Sequence, residues 1–115
     1  MADNLNAVLY QPYSYGQPEL AVRNGINDTN YTATASDTLI AYPVLTASRT
    51  ITLPYVGSVS AGKQIIIKDE SGSCSGGITL TITGTIDGST NLVLNSAYAN
   101  VRLYSNNSAW CKVGA

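Results

Sequence analysis

The sequence predicts a small all-β domain, either a β-sandwich or a jelly roll, with an extended N-terminal arm. Three observations predict it. Short segments of alternating apolar and polar residues recur about every ten residues, which is the spacing of strands in such folds. Glycine, proline and asparagine separate these segments, and no apolar pattern with a helical period persists. With 115 residues, the chain has the length of one domain.

The first 36 residues differ from the rest of the chain. They are polar and irregular, and neither a strand period nor a helix period persists in them. Tyr10, Tyr13 and Tyr15 lie there without a local core, and such rings need a surface to cover them. The sequence therefore predicts an extended arm over residues 1–36 that orders on a neighbouring subunit, and a β-sandwich domain over residues 37–115. The alternative is a partly ordered leader that folds onto its own domain.

Seven segments with a two-residue period follow the arm. In the clearest of them, residues 78–83, isoleucine and leucine face one side and threonine faces the other. Residues 64–68 are apolar on both faces, as expected of a central strand that is covered on both sides. The predicted strands are 38–42, 49–53, 64–68, 78–83, 92–94, 101–104 and 110–113.

The same alternation predicts which side chains form the core. Arg102 and Tyr104 are predicted to face outward, since they alternate with apolar neighbours. Asp87-Gly88 is a pair that tolerates positive φ, so it predicts a tight turn. The predicted core positions are Ile51, Leu53, Ile65, Ile67, Ile78, Leu80, Ile82, Val101 and Leu103.

The surface is predicted to be polar without being highly charged. Only 11% of the residues are charged, less than half of the roughly 25% usual in soluble domains. Phenylalanine is absent whereas tyrosine occurs eight times, and the tyrosine ring with its hydroxyl suits half-wet interfaces. This composition favours packing against copies of the same chain. The net charge of −1 offers no basic field for phosphate backbones, so nucleic acid is not an expected partner.

No stretch of the sequence approaches the roughly 20 apolar residues that a membrane span requires. The first residues, Met1 to Asn4, lack the basic start and the apolar run of a secretory signal. We therefore expect a chain that is made in the cytoplasm, begins at its own Met1 and has no membrane partner.

The inventory of reactive side chains argues against an enzyme. Histidine is absent, which excludes Ser-His-Asp and Cys-His arrangements. Asp69 and Glu70 are adjacent acids, but neighbours on a strand point to opposite faces, so these two do not converge as a glycosidase pair. We expect no catalytic residue.

Metal and phosphate sites are not predicted either. Asp69, Glu70 and Asp87 carry oxygens of the kind that bind calcium, but they do not make a full ligand set. Gly62-Lys63 lacks the first glycine and the Ser/Thr of a phosphate loop, and we expect it to be a hairpin turn. The sequence predicts no cofactor and no metal.

Two cysteines and the single tryptophan leave alternatives open. Cys74 and Cys111 are not spaced as a CxxC motif, and no histidine completes a zinc site. Unpaired thiols are the favoured interpretation, with one disulfide as the alternative. Trp110 enters the last predicted strand, where we expect it to plug the core; the alternative is a ring that stacks on a sugar.

The C-terminal part of the chain resembles a known kind of module. The segments that carry the likeness are Arg49–Pro54, Gly62-Lys63, Ile66–Gly72, Thr85–Gly88 and Asn100–Ser105 leading into Trp110. In this order and spacing they resemble the β-rich module of bacteriophage virion proteins, which include tail fibres and capsid decoration proteins. The likeness covers a little over half of the chain, and residues 1–36 carry no part of it.

This resemblance implies a homotrimeric structural protein of a phage particle. With so short a segment ahead of the module, the chain fits a cement or decoration protein on the outer capsid surface better than a long fibre. The implied partners are copies of itself and the phage major capsid protein, and we expect Tyr10, Tyr13 and Tyr15 of the arm to bind the latter. The implied location is the virion, after synthesis in the bacterial cytoplasm. The alternative is a small tail-fibre tip or a receptor-binding tail protein that recognises a host surface sugar.

Overall fold

A computed structural model describes residues 22–114 of the chain. This part is built mostly from strands and turns, which confirms the predicted all-β class, and its helical element is a 3-10 turn at Val56–Ser58. The strands in it are β1 (Arg23–Asn27), β2 (Tyr31–Thr32), β3 (Leu39–Val44), β4 (Arg49–Thr52), β5 (Gln64–Asp69), β6 (Leu80–Ile86), β7 (Ser89–Leu94), β8 (Asn100–Ser105) and β9 (Trp110–Val113).

The chain winds between two groups of strands. β1, β3 and β5 lie side by side in parallel, and β2, β4 and β6 do the same. Consecutive strands up to β6 therefore belong alternately to the two groups, so the chain follows a coil. The last two strands join the groups. β8 pairs antiparallel with β5 and with β9, and β9 meets β6 in parallel where Trp110 lies opposite Ile86. β7 forms a hairpin with β6.

This pairing differs from that of a jelly roll, which is built from antiparallel strands. Parallel neighbours cannot be joined by a tight hairpin and need a longer crossover. Here the crossover that follows each of β1 to β4 contains a strand of the other group. The two groups bury their inward side chains in one shared core, as the two layers of a packed domain do.

The predicted core is largely confirmed. Eight of its nine side chains are buried, and Leu80, Ile82 and Leu103 are fully enclosed. β5 lies between β3 and β8, which confirms its predicted central position. The prediction that both of its faces are covered is wrong, because Ile65 and Ile67 are buried whereas Ile66 lies half-buried on the outward face. Ile78 is only half-buried, because it precedes β6 in a loop that the Ser75 amide closes with a 2.7 Å hydrogen bond to the Ile78 carbonyl.

The structure places residues 22–36 in the β domain and not in an extended arm. β1 lies beside β3, β2 lies beside β4, and the segment buries Ile26 and Ala33. Each of these short stretches supplies a single inward apolar side chain, which is too little to produce a repeating pattern in the sequence. The rest of the predicted arm, residues 1–21, lies outside the described residues.

The two predicted turns have different outcomes. Asp87-Gly88 forms the tight turn between β6 and β7, with φ angles of 48° and 83°, as predicted. Gly62-Lys63 also lies in a turn, closed by the Lys63 amide donating to the Ser60 carbonyl at 3.1 Å. It is not a hairpin, because β4 and β5 on either side of it belong to different groups of strands.

Candidate interaction surface

The outward side of β5, β8 and β9 forms one continuous face. In β8 the alternation places Arg102 and Tyr104 outward, as predicted. The register sets Ile66 of β5 and Val113 of β9 beside Arg102, and Cys111 beside Tyr104. Because Val113 and Tyr104 remain 41% and 37% exposed, this outer face presents apolar and aromatic groups for contact.

A cleft of about 320 Å³ opens between β7 and the β8–β9 hairpin. Residues 92–94 of β7 form one wall, and Arg102, Lys112 and Val113 lie on the other. Val93 is 47% exposed there. Among residues 22–114, β7 pairs with β6 alone, so its second edge is open. The cleft thus combines apolar side chains, two cationic side chains and a strand edge with unpaired backbone groups.

The carboxylate of Asp69 organises the loops next to β5. It is fully buried and accepts hydrogen bonds from the amides of Ser71, Gly72, Cys74 and Tyr98, each at 3.1 Å, and from the Ser71 hydroxyl at 2.5 Å. Burial alone would raise the pKa of Asp69, but these donors favour the charged form and hold the pKa below its usual value. A single ionised group therefore fixes the loop 70–74 against the loop before β8.

The two adjacent acids face opposite ways, as predicted. Whereas Asp69 is buried, Glu70 lies at the surface and accepts two hydrogen bonds from the Arg23 guanidinium, at 2.6 and 2.9 Å. Asp87 accepts from the Lys112 amide at 3.3 Å. Among residues 22–114, no group of three or more His, Cys, Asp or Glu side chains could hold a metal ion.

The other two described carboxylates also tie strands together. Asp28 accepts from the Thr46 hydroxyl at 2.6 Å and from the Arg49 guanidinium at 3.1 Å, and the Thr46 bond is the largest cause of its lowered pKa. Asp37 is buried and accepts from the Tyr31 hydroxyl at 2.8 Å. All five carboxylates of residues 22–114 are thus engaged in hydrogen bonds that hold the fold.

Trp110 fills the core, as expected. It is 1% exposed, and its indole N–H donates to the Pro54 carbonyl at 3.2 Å. Its ring face is therefore not available to stack on a sugar.

Cys74 and Cys111 are both free thiols, which agrees with the favoured interpretation. Burial, with the Asp69 charge as the second cause, raises the pKa of Cys74 to about 11, so this thiol is a poor nucleophile.

Tyr10, Tyr13 and Tyr15, which we predict to bind the capsid, lie outside the described residues. The cleft was not predicted, because an open strand edge depends on which strands pair. The hydrogen bonds of Asp69 were not predicted either, although aspartate followed by Ser71-Gly72 is a composition that favours loops closed by a side-chain carboxylate.

Comparisons with known proteins do not assign the chain to a family. No protein-family model matches the sequence, and no curated protein matches it. None of the helical segments in residues 22–114 has the length and hydropathy of a membrane span.

Proposed function

We propose that this protein is a structural component of a bacteriophage particle: a homotrimeric cement or decoration protein that binds the outer surface of the head and stabilises it. The observation that carries the proposal is a contrast between the carboxylates, which are hydrogen-bonded within the fold, and the apolar side chains, which are exposed at the surface. All five in residues 22–114 accept hydrogen bonds within the fold, whereas the apolar side chains of the outer face and the cleft remain open to contact. The resemblance of residues 49–113 to the phage virion module supports the same function.

The stabilising effect of such a protein follows from mass action. A protein that binds only the assembled head stabilises it in proportion to the occupancy and affinity of its sites. A trimer matches a threefold position of a capsid lattice, and three arms make its attachment multivalent. In this proposal the arm consists of residues 1–21, because β1 begins at Arg23.

The purified protein is expected to be a trimer, with about three times the 12.1 kDa mass of one chain. Low charge and exposed Tyr and Val side chains favour self-association. Static light scattering over a range of concentrations measures the mass. Raising the salt concentration should leave it unchanged, since an apolar contact is not screened. The trimer would be contradicted if the protein has the mass of one chain at every concentration and also binds the particle as single copies.

The triple change of Tyr10, Tyr13 and Tyr15 to serine is expected to abolish binding to heads that lack the protein, while the fold and the oligomer persist. The reason is that these rings supply the apolar contact of each arm. Co-sedimentation with heads measures occupancy, and circular dichroism checks the fold. A matched control replaces Tyr55 and Tyr98, which are 79% and 58% exposed on the β domain, by serine. Full occupancy by the triple variant would place the docking surface on the β domain.

A tail protein that binds a host sugar is the second candidate, and one observation favours it. The exposed Tyr55 lines a second cleft of about 280 Å³, together with Pro54, Thr85 and Ser108, and none of the residues that line it is charged. An aromatic ring beside hydroxyl groups suits a neutral sugar. Imaging of particles labelled on this protein separates the two candidates: copies spread over the head support the decoration protein, and copies confined to the tail support the second.

A further inference from the structure

The open edge of β7 differs from the edges of β1 and β2, which also have a ladder partner on one side only among residues 22–114. β2 has two residues, and β1 carries Arg23 and Gly25. Shortness, charge and glycine each discourage a further strand from adding to a sheet. Residues 89–94 of β7 show none of these features, since they are uncharged and include neither proline nor glycine. Of the three edges, that of β7 is therefore the most open to strand addition.

The cleft beside this edge offers apolar and cationic side chains to an added strand. Leu92 and Val93 of β7 lie on one side of it and Val113 of β9 on the other. Arg102 and Lys112 also line the cleft and are exposed. Neither cation forms an ion pair with another residue of the part that the structure describes. An occupant that is apolar and carries a negative charge complements both kinds of side chain.

We propose that this cleft binds an extended segment of a partner protein, which adds to β7 as a strand and carries apolar side chains and a carboxylate. Backbone hydrogen bonds to β7 supply affinity in such a complex, and the side chains around the edge supply specificity. Successive side chains of a strand point to opposite faces. One face of the segment is therefore apolar and packs toward Leu92 and Leu94, whereas the acid lies on the other face, toward Arg102.

A different protein fits the cleft better than a second copy of the described domain. All five carboxylates of residues 22–114 accept hydrogen bonds within their own fold. The domain of a second copy therefore has no carboxylate to offer to the cleft without breaking one of these bonds. This inference goes beyond the proposed function and does not rest on it, because the cleft is a property of the β domain and is tested without particles.

Titration of the isotope-labelled full-length protein with a designed peptide, followed by NMR, tests the proposal. The probe alternates valine and threonine, has one glutamate at its centre and has blocked ends. The amide signals of β7 and of Lys112 and Val113 should shift and should saturate with a Kd below about 1 mM. The same peptide with N-methyl groups on the amides of one edge cannot form the ladder. It should bind at least about tenfold more weakly.

Two further peptides, in which glutamine or lysine replaces the glutamate, test the charge preference. At low salt the glutamate peptide should bind about threefold or more tightly than the glutamine peptide, and the lysine peptide should bind most weakly. Arg102→Gln and Lys112→Gln should each reduce this preference, and the double variant should remove it. Lys63→Gln is the matched control, because Lys63 lies before β5 and does not line the cleft; it should leave the preference unchanged.

The proposal is overturned if no peptide binds at millimolar concentration or if the shifted signals lie away from the cleft. Equal binding of the N-methylated peptide, or a charge preference that survives in the double variant, overturns it as well. Hydrogen exchange before the peptide is added detects a prior occupant. Slow exchange of the β7 amides that do not bond to β6 would mean that another segment of the chain or a second copy already covers the edge, which also contradicts the proposal.

Discussion

Replacing Asp69 with alanine is expected to lower the free energy of unfolding by roughly 3 kcal/mol or more. Five donors, four backbone amides and the Ser71 hydroxyl, point at this one buried carboxylate. Alanine leaves them without an acceptor, and a buried unsatisfied donor costs about 1–3 kcal/mol when water cannot replace the partner. Urea unfolding followed by circular dichroism measures the change.

Glu70→Gln is the matched control for this prediction. The neighbouring side chain makes an exposed ion pair with Arg23, and such pairs contribute at most about 1 kcal/mol. If the alanine variant does not fold, Asp69→Asn keeps the shape of the group and loses the charge, and it should still be clearly less stable than Glu70→Gln. Equal, small losses for positions 69 and 70 would contradict the role assigned to the carboxylate.

The direction of the Asp69 pKa shift predicts how this stabilisation depends on pH. Since the pKa is lower in the folded protein than in the unfolded chain, the stabilisation is fully present above the unfolded value of about 3.9. It is lost as the pH falls through the lowered pKa of the folded state. The difference between the unaltered protein and Asp69→Asn should therefore be constant near neutral pH and shrink in acid. Asp28, Asp37 and Glu70 have lowered pKa values too and add to the same loss.

Truncating Leu80 to alanine should cost roughly 2–5 kcal/mol of stability, the range for a fully enclosed leucine. Leu80 is 0% exposed and lies in β6 between Arg49 of β4 and Leu94 of β7. The truncation removes apolar contacts and leaves a cavity that strands paired on both sides cannot collapse to fill. Thermal or urea unfolding measures the loss. Val93→Ala, on the exposed face of the adjoining strand, should change stability by about 0.5 kcal/mol or less. A similarly small effect for Leu80 would show that its side of β6 is not enclosed.

The fold was predictable from the sequence to the extent that it depends on which face a side chain occupies. In residues 80–83 the alternation distinguishes Leu80 and Ile82 from the threonines between them, and the structure confirms it. The alternation does not indicate which strands pair with each other. The pairing of Arg49 with Leu80 in parallel depends on the course of a long connection, on which a two-residue period has no bearing. For that reason the coiled winding was not predicted.

The candidate site was predictable only in part, and for the same reason. The outward direction of Arg102 and Tyr104 follows from alternation within β8 alone. The cleft exists because β7 leaves β6 as a hairpin and gains no second neighbour among the described strands, which only the complete topology reveals. Tyr10, Tyr13 and Tyr15 remain predictions from composition.

The alternating course of the chain constrains when the protein can fold during its synthesis. The N-terminal strands leave the ribosome first, but β5 lacks β8 and β6 lacks β7 until most of the chain has followed. The parallel pairs also join residues far apart in sequence, so chain entropy opposes them before their contacts can form. Among the strands of residues 22–114, only the hairpins β6–β7 and β8–β9 join strands that are neighbours in sequence, and both lie in the C-terminal part. We therefore expect the core to form first around these C-terminal hairpins and then to take in the N-terminal strands, after nearly all of the chain has been synthesised.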